Sequence, residues 1–421
     1  EITNHNSGGL MLRLNKSILL FITLLFTVVI TNVQAAKLVI AGRDGGYGKA
    51  LEQTIDAYQK MNPGVEIELL KLPYGSLYEK LVISLREKTG SYGLVMVDDT
   101  WATEFMGNGW LADITETGPI DSDFIDKTIA ISSHPFGSNN TYALPFVGNV
   151  AMFAYRKDLF DKYGLSVSSW SNVLKAAETI QAKESGVSGV VYRGVKANPI
   201  VTGFLAIFWA HGGQILNDQG KAAVNSPEGV AALEYYLKLK NFAPRGIVNY
   251  NSSEVKDALY QGKAGIAIEV WPGWVPGMDD PSISKVVNKM EIMAAPGEVE
   301  GPSPMLGIWL FGIPSDAPDA NVSRDFLDFL LSAENQKTMA LEIGTPPTRA
   351  SVYTDSDVIK KYRWYPAQLK ALQNGKPRPR TKKWKQIESV LGDFLQLALI
   401  GQMSAQDAMD RANKDIDKAL R

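Results

Sequence analysis

Two neighbouring carboxylates and a pair of closely spaced tryptophans are the residues of this sequence best suited to contact a ligand. Asp98 and Asp99 directly follow the apolar run 94–97, and Trp271-Pro-Gly-Trp274 places two indoles on one tight turn. Carboxylates form strong, charge-assisted hydrogen bonds with hydroxyl groups, and indole rings cover apolar surface. Residues of these types are typical of a pocket that combines a few polar contacts with apolar surface.

The same carboxylates raise the alternative of an enzyme. Asp98, Asp99 or Glu269 would then act as general acid and base, as in glycoside hydrolysis, where two carboxyl groups face each other at a set separation. Adjacent side chains at the end of a strand diverge, and the sequence contains no GxSxG, HExxH, Walker or Rossmann pattern. We therefore expect no catalytic activity. The competing role for Asp98 and Asp99 is to cap the helix that follows them.

The composition excludes several other kinds of site. The chain has no cysteine, which excludes disulfides, thiolate catalysis and iron–sulfur clusters. Its three histidines, His5, His134 and His211, are too scattered for a histidine-based metal site. The net charge of −2 provides no basic field for nucleic acid. We expect no cofactor, no metal and no nucleic-acid partner.

Alternating strands and helices position the candidate residues in the first part of the chain. Apolar runs separated by amphipathic helical patterns are typical of β-α-β units and a mainly parallel sheet. These runs lie at 37–41, 65–69 and 94–97. Ligands bind beyond the carboxyl ends of such strands. Arg43 and Asp44, in the loop after the first strand, therefore join Asp98 and Asp99 as candidates for ligand contact.

The later part of the chain is richer in helix, but one strand pattern stands out. The run 265–270 leads directly into Trp271, and Glu269 within it lies either at a cleft or on a solvated strand face. A length of 421 residues is enough for two domains. No polar linker separates them, so we expect two lobes that share several chain crossings acting as a hinge.

The beginning of the sequence carries an export signal. Arg13 and Lys16 precede the apolar run 18–30, and Asn32-Val-Gln-Ala-Ala36 follows with small residues at the −3 and −1 positions of a cleavage site. This order predicts a secretory signal peptide at 11–35, cleaved after Ala35. A membrane anchor is the alternative, but the run is shorter than the roughly 20 residues that span a bilayer.

Two further expectations concern the same end of the chain. Residues 1–10 precede Met11 and are interpreted as a cloning remnant or upstream translation. The predicted cleavage site has no cysteine, so no lipid anchor can be attached there. We expect a mature protein that is free in the periplasm.

Short motifs spread along the mature chain occur in a characteristic order. They are Val95-Met-Val-Asp-Asp-Thr-Trp101, Gly109-Trp-Leu111, Tyr142-Ala-Leu-Pro145, Tyr155-Arg-Lys-Asp-Leu-Phe160, Gly262-Lys-Ala-Gly265, Pro296-Gly297, Gly307-Ile-Trp309, Gly344-Thr-Pro-Pro-Thr-Arg349 and Pro377-Arg-Pro-Arg380. Each motif is weak alone. Together they make the chain resemble family 1 extracellular solute-binding proteins, the group that contains maltose- and trehalose-binding proteins.

The resemblance implies an α/β fold of the periplasmic-binding-protein type, with a ligand cleft between two lobes. The N-terminal lobe would comprise 36–146 and 306–349. The C-terminal lobe would comprise 147–305 and 350–421.

The resemblance also implies site residues. Asp98 matches a position that accepts hydrogen bonds from sugar hydroxyls, Trp271 and Trp309 match stacking platforms, and Arg349 matches an arginine able to form a bidentate fork. Trp274 and Asn149, the latter in a hinge-side loop, are added candidates. The alternatives are core packing for the tryptophans and a hinge salt bridge for Arg349.

The function implied is the capture of a carbohydrate and its delivery to the permease of an ABC importer, by a protein that we expect to be monomeric. A binding protein for a non-sugar solute, such as a glycerol phosphate, an opine or a polyamine, is the main alternative. A cleft richer in basic than in aromatic groups would favour a phosphate.

Overall fold

The computed structural model describes residues 35–421. The predicted signal peptide and the preceding residues 1–10 lie outside the described residues, apart from Ala35. Within 35–421, no helix is both long enough and apolar enough to cross a bilayer.

Strands form two separate sheets. The strands are β1 Ala36–Arg43, β2 Val65–Leu72, β3 Leu94–Asp98, β4 Ala143–Val147, β5 Met152–Arg156, β6 Ser188–Val191, β7 Ala264–Val270, β8 Met290–Met293 and β9 Trp309–Gly312. The first sheet has the order β2-β1-β3-β9-β4 and the second has the order β6-β7-β5-β8. We call the elements packed around the first sheet lobe 1, and those packed around the second sheet lobe 2.

Helices cover both sheets. They are α1 Gly45–Met61, α2 Tyr74–Arg86, α3 Asp99–Gly107, α4 Asp126–Ala130, α5 Lys157–Tyr163, α6 Trp170–Lys183, α7 Asn198–Ala210, α8 Pro227–Leu239, α9 Ser252–Tyr260, α10 Val275–Met278, α11 Ala320–Leu330, α12 Ala333–Ile343, α13 Ala350–Tyr353, α14 Ser356–Lys361, α15 Tyr365–Gln373, α16 Trp384–Leu399 and α17 Ala405–Ala419.

The β-α-β order predicted for the first part of the chain is present in lobe 1. β1 pairs in parallel with both β2 and β3, and α1 and α2 connect them. β9 returns from lobe 2 and pairs antiparallel with β3 and β4, so this sheet is mixed. Because β1 and β3 are parallel, Arg43 and Asp98 lie at the same edge of the sheet.

Lobe 2 is built around a helix that is buried along nearly its whole length. From Ile200 to Ala210, every residue of α7 is buried, and α7 packs against α8 and α16. A helix that is apolar on all sides forms only where other elements surround it. The helix α16 supplies part of this cover, and the final helix α17 packs against α16 and α8.

Backbone hydrogen bonds join the segments that run between the lobes. Gly148 N donates to Pro346 O at 2.9 Å, Gly307 N to Asn149 O at 2.9 Å, and Leu306 N to Lys376 O at 3.0 Å. The helix α15 contacts both α4 of lobe 1 and β8 of lobe 2. The residue at which each lobe begins and ends stays a prediction, since the helices between 350 and 373 contact both lobes.

Candidate functional site

A cavity with a volume of about 560 Å³ lies between the two lobes. We call it the central cavity. It is bordered by the carboxyl ends of β1 and β3, the start of β9, the residues after β7, and the first turns of α7. Its lining residues are Arg43, Tyr47, Tyr74, Asp98, Asn149, Arg193, Asn198, Pro199, Thr202, Asn251, Ser252, Trp271, Gly273, Trp274, Gly307, Trp309 and Arg378.

Aromatic side chains dominate the wall contributed by lobe 1. The ring of Trp309 lies 6.2 Å from that of Tyr47 and 5.9 Å from that of Tyr74. The Arg43 guanidinium lies 5.3 Å from the centre of the Trp309 ring, within cation–π range. Burial raises the pKa of Tyr47 and of Tyr74, so both phenols stay protonated at neutral pH. This wall offers aromatic faces together with hydroxyl groups.

Asp98 caps a helix and also lines the central cavity. Its Oδ1 accepts hydrogen bonds from Thr100 N at 2.9 Å and from Thr100 Oγ1 at 2.7 Å. These bonds fix the carboxylate at the N-terminus of α3, where negative charge is stabilised. Both bonds use Oδ1, which leaves Oδ2 for a ligand hydroxyl. The two roles proposed for Asp98 are therefore compatible.

Asp99 lies behind this wall and is fully buried. Its Oδ2 accepts from Ile308 N at 2.7 Å, and its Oδ1 accepts from Arg378 Nη2 at 3.1 Å. Burial raises the pKa of Asp99 to about 6, while the Arg378 charge opposes the rise. Burial also opposes the charged form of Arg378, but the charges of Asp99 and Asp98 outweigh it and raise the pKa of Arg378. The pair fixes Arg378 at the edge of the cavity.

A second arginine is fixed in the wall contributed by lobe 2. Arg193 Nε and Nη2 donate to the two carboxylate oxygens of Glu269 at 2.9 and 2.8 Å, and Nη2 also donates to Thr202 Oγ1 at 2.6 Å. The guanidinium lies 6.0 Å from the Trp271 ring centre and 5.7 Å from that of Trp274. Glu269 is 2% exposed. It therefore orients Arg193, and Arg193 supports both indoles.

Hinge residues complete the cavity. Asn149 Nδ2 donates to the Tyr47 hydroxyl at 2.7 Å, which links the hinge to lobe 1. The Trp271 ring lies against Gly307, where a Cβ atom would come within 2.7 Å of the indole. A side chain at position 307 would thus displace the indole from the wall of the cavity.

Six of the ten residues predicted from the sequence line the central cavity: Arg43, Asp98, Asn149, Trp271, Trp274 and Trp309. Asp99 and Glu269 are buried beside cavity arginines instead. Asp44 lies next to Arg43, with 46% of its side chain exposed.

The tenth predicted residue, Arg349, lies away from the central cavity. Its Nη1 donates to Asp121 at 2.6 Å, its Nε donates to Leu331 O at 2.6 Å, and its guanidinium lies 4.2 Å from the Phe124 ring centre. All three partners belong to lobe 1. Arg349 therefore holds a lobe 1 loop together, and we leave it out of the proposed site below.

Several lining residues were not predicted, namely Tyr47, Tyr74, Arg193, Asn198, Thr202, Asn251, Ser252 and Arg378. Arg193 follows β6 by two residues, so the rule that ligands bind at carboxyl ends of strands was available for it. Arg378 lies in an irregular segment, 279 residues from Asp99. Local sequence carries no signal for such a pairing. Within 35–421, no group of three or more acidic or histidine side chains is arranged to hold a metal ion.

Comparisons with known proteins give a consistent picture. The model of the family described as bacterial extracellular solute-binding protein matches residues 43–337. An ABC transporter solute-binding protein from Agrobacterium radiobacter K84, solved in complex with ribitol, is 27% identical, with a TM-score of 0.82 over 92% of this chain and 99% of that chain. A maltose-bound protein from T. maritima is 25% identical, with a TM-score of 0.80 over 92% and 100% of the two chains.

A curated relative from Pseudomonas aeruginosa, named mannitol-binding protein, is 23% identical over 88% of this chain and 90% of its own. The structural similarities confirm the predicted α/β fold with two lobes.

Proposed function

The chain belongs to the family of bacterial extracellular solute-binding proteins, as its motifs predicted, and from that premise we propose that it binds a neutral carbohydrate in the central cavity and delivers it to the permease of an ABC importer. The term carbohydrate here includes sugars and polyols. The single observation that carries the proposal is the lining of the central cavity, where aromatic rings outnumber charged groups.

Charge balance favours a neutral ligand. Five aromatic side chains line the central cavity, compared with three arginines. Arg193 is paired with the buried Glu269 and Arg378 with the buried Asp99, while Arg43 lies 3.4 Å from the Asp44 carboxylate. A cation already paired with a buried carboxylate does not require an anionic ligand. A phosphate or an opine would need an uncompensated arginine, and a polyamine would need several carboxylates, whereas Asp98 is the carboxylate found in this lining.

The aromatic groups suit the faces of a sugar or polyol. Trp271 and Trp274 on one side and Trp309 on the other offer apolar surface for C–H groups. Asp98, Asn149 and Asn198 provide acceptors and donors for hydroxyl groups. The ligands named for the similar proteins, which are ribitol, maltose and mannitol, are all neutral and rich in hydroxyl groups.

A ligand between the lobes would also act on the hinge. A ligand that contacts both walls has greater affinity for the closed arrangement and shifts the equilibrium towards it. Small-angle scattering should then show a smaller radius of gyration when carbohydrate is bound. An unchanged radius at saturation would argue against closure.

The direct test is a thermal-shift screen of residues 36–421 against neutral sugars, polyols, glycerol 3-phosphate, opines and polyamines. A ligand at 100 times its Kd adds about 2.7 kcal/mol to the unfolding free energy. We expect neutral carbohydrates to raise the melting temperature and the charged solutes to leave it unchanged. A response confined to charged solutes would overturn the proposal.

We further propose that the protein binds its ligand without altering it, and that it acts as a periplasmic monomer after removal of 11–35. Incubation with a saturating ligand should leave that ligand chemically unchanged over hours. Turnover that disappears in Asp98→Asn would identify a hydrolase instead. Mass spectrometry of a periplasmic extract should find a chain beginning at Ala36 without lipid, and an intact leader would contradict the proposed processing.

A further inference from the structure

A second cavity, with a volume of about 370 Å³, adjoins the central cavity. Tyr47 and Gly273 line both cavities, so the two meet at these residues. The second cavity is also lined by Gly46, Pro276, the segment 342–346 and Lys361. We call it the side chamber.

The side chamber is also formed by both lobes. Gly46 and the segment 342–346 belong to lobe 1, while Gly273 and Pro276 follow β7 of lobe 2. A ligand in the side chamber would therefore contact both lobes, as a ligand in the central cavity does. Closure of the two lobes would bring both of them into contact with the two parts of one elongated ligand.

The lining of the side chamber suits a neutral polar group. Glu342 is hydrogen-bonded to Gln53, and the Lys361 ammonium is hydrogen-bonded to Leu341 O. Their charges are of opposite sign and do not select an ion. Among the described residues that line the side chamber, no other is charged.

From these observations we propose that the natural ligand is a carbohydrate of at least two units, with one unit in the central cavity and the next in the side chamber. The inference rests on the proposed function and adds the size of the ligand. The central cavity alone falls within the range of roughly 300–1,000 Å³ typical of small-molecule sites, and with the side chamber the site approaches the upper end of that range. A single sugar or a linear hexitol would leave the side chamber unused.

The substitution Gly46→Leu tests the side chamber independently of the central cavity. Gly46 lines the side chamber but not the central cavity, and a Cβ atom added there has no atom within 4 Å. The Cβ of a leucine would therefore meet no other atom, and we expect the rest of the side chain to narrow the side chamber. Gly301→Leu is the matched control, because Gly301 is exposed, has equally open surroundings and lines neither cavity.

The measurement is calorimetric titration of the wild type and both variants with glucose, mannitol, maltose, trehalose and maltotriose. We expect a disaccharide or trisaccharide to bind at least about tenfold more tightly than glucose or mannitol. Gly46→Leu should remove most of that advantage and change single-unit binding by less than about twofold, since filling a subsite rejects only the ligand that needs it. Gly301→Leu should behave as the wild type.

Gly46→Phe provides a second variant, with a larger side chain at the same open position. It should weaken binding of the longer ligand at least as much as Gly46→Leu does, with single-unit binding unchanged. A single-unit ligand that binds as tightly as any longer one, or a longer ligand insensitive to both variants, would overturn the two-unit proposal and leave the carbohydrate function intact. No response to any carbohydrate would instead overturn the proposed function itself.

Discussion

The two walls of the central cavity present the same types of side chain, but different elements of the fold carry them. Each wall combines aromatic rings with an arginine held by a buried carboxylate. Arg378 is paired with Asp99 at the lobe 1 wall, and Arg193 is paired with Glu269 at the lobe 2 wall. In lobe 1 the indole of Trp309 belongs to a strand and packs against Trp101 at 5.5 Å. In lobe 2, Trp271 and Trp274 lie on a short turn after β7 and are only partly buried.

This difference distinguishes two roles of an aromatic residue, which are support of the core and contact with the ligand. Trp309 is 5% exposed, so its ring supports the core of lobe 1 as well as the cavity. The lobe 2 indoles have fewer core contacts to maintain and present more of their surface to the cavity. We infer that lobe 1 provides a preformed platform, whereas the indoles of lobe 2 serve mainly to bind.

The largest expected effect comes from removing an arginine that neutralises a buried carboxylate. Arg378→Met leaves Asp99 without its partner, and Arg193→Met does the same to Glu269. Breaking a buried pair on one side costs about 3–5 kcal/mol, so both variants should lose that much unfolding free energy in chemical denaturation. Lys157→Met, which breaks an exposed pair with Asp161, serves as the control and should leave the unfolding free energy close to that of the wild type.

If Arg378→Met or Arg193→Met were as stable as the control, the pairs would not be structural. The arginines would then be free to meet an anionic ligand, and the charge argument for a neutral solute would fail.

The next effect distinguishes the walls directly. Trp309→Ala should lower the unfolding free energy by about 3–5 kcal/mol, because it leaves a cavity among packed aromatic rings. Trp271→Ala should lower it by less, and should weaken carbohydrate binding by roughly 1–3 kcal/mol through lost apolar contact and stacking. Denaturation and calorimetry on the same two variants measure both quantities. Equal losses of stability in the two variants would remove the distinction between the walls.

The smallest effect concerns pH and is confined to lobe 1. Burial raises the pKa of Asp99 from 3.8 to about 6, so between about pH 4 and 6 the folded protein holds more protons at this site than the unfolded chain does. The unfolding free energy contributed by Asp99 therefore falls as the pH rises through this window. Asp99→Asn should remove this slope, which is on the order of 1 kcal/mol per pH unit within the window.

The comparison needs denaturation curves of the wild type and of Asp99→Asn at several pH values between 4 and 7. Asp328→Asn, at an exposed ion pair, is the control and should keep the wild-type slope. If the difference in unfolding free energy between the wild type and Asp99→Asn did not vary with pH, the raised pKa of Asp99 would be contradicted.

Residues at strand ends were predictable because the position of a strand end follows from local pattern. Arg43 and Asp98 follow β1 and β3, and Trp271 follows β7, so each lies where a parallel or mixed sheet opens to a ligand. The family motifs added Trp309. It is the first residue of β9, the strand with which the chain returns from lobe 2 to lobe 1.

Partners distant in sequence were not predictable. Glu269 was predicted to be either a cleft residue or a surface residue, but it is buried in an ion pair with Arg193. The two residues are 76 positions apart in the sequence, and the pairing of β6 with β7 brings them together. Asp98 and Asp99 have identical side chains, and the approach of Arg378 distinguishes the buried one. Arg349 carried the same charge signal as the cavity arginines, but the loop at Asp121 binds it instead.

The central claim is that one neutral carbohydrate is held by both walls at once, and calorimetric titration of one-wall variants tests it most directly. The neutral carbohydrate with the largest thermal shift is titrated into the wild type, Asp98→Asn from lobe 1 and Trp271→Ala from lobe 2. We expect one ligand per protein and a Kd raised by roughly fivefold or more in each variant, which is about 1 kcal/mol or more. A stoichiometry of two, or a Kd that responds to only one of the two walls, would contradict the account.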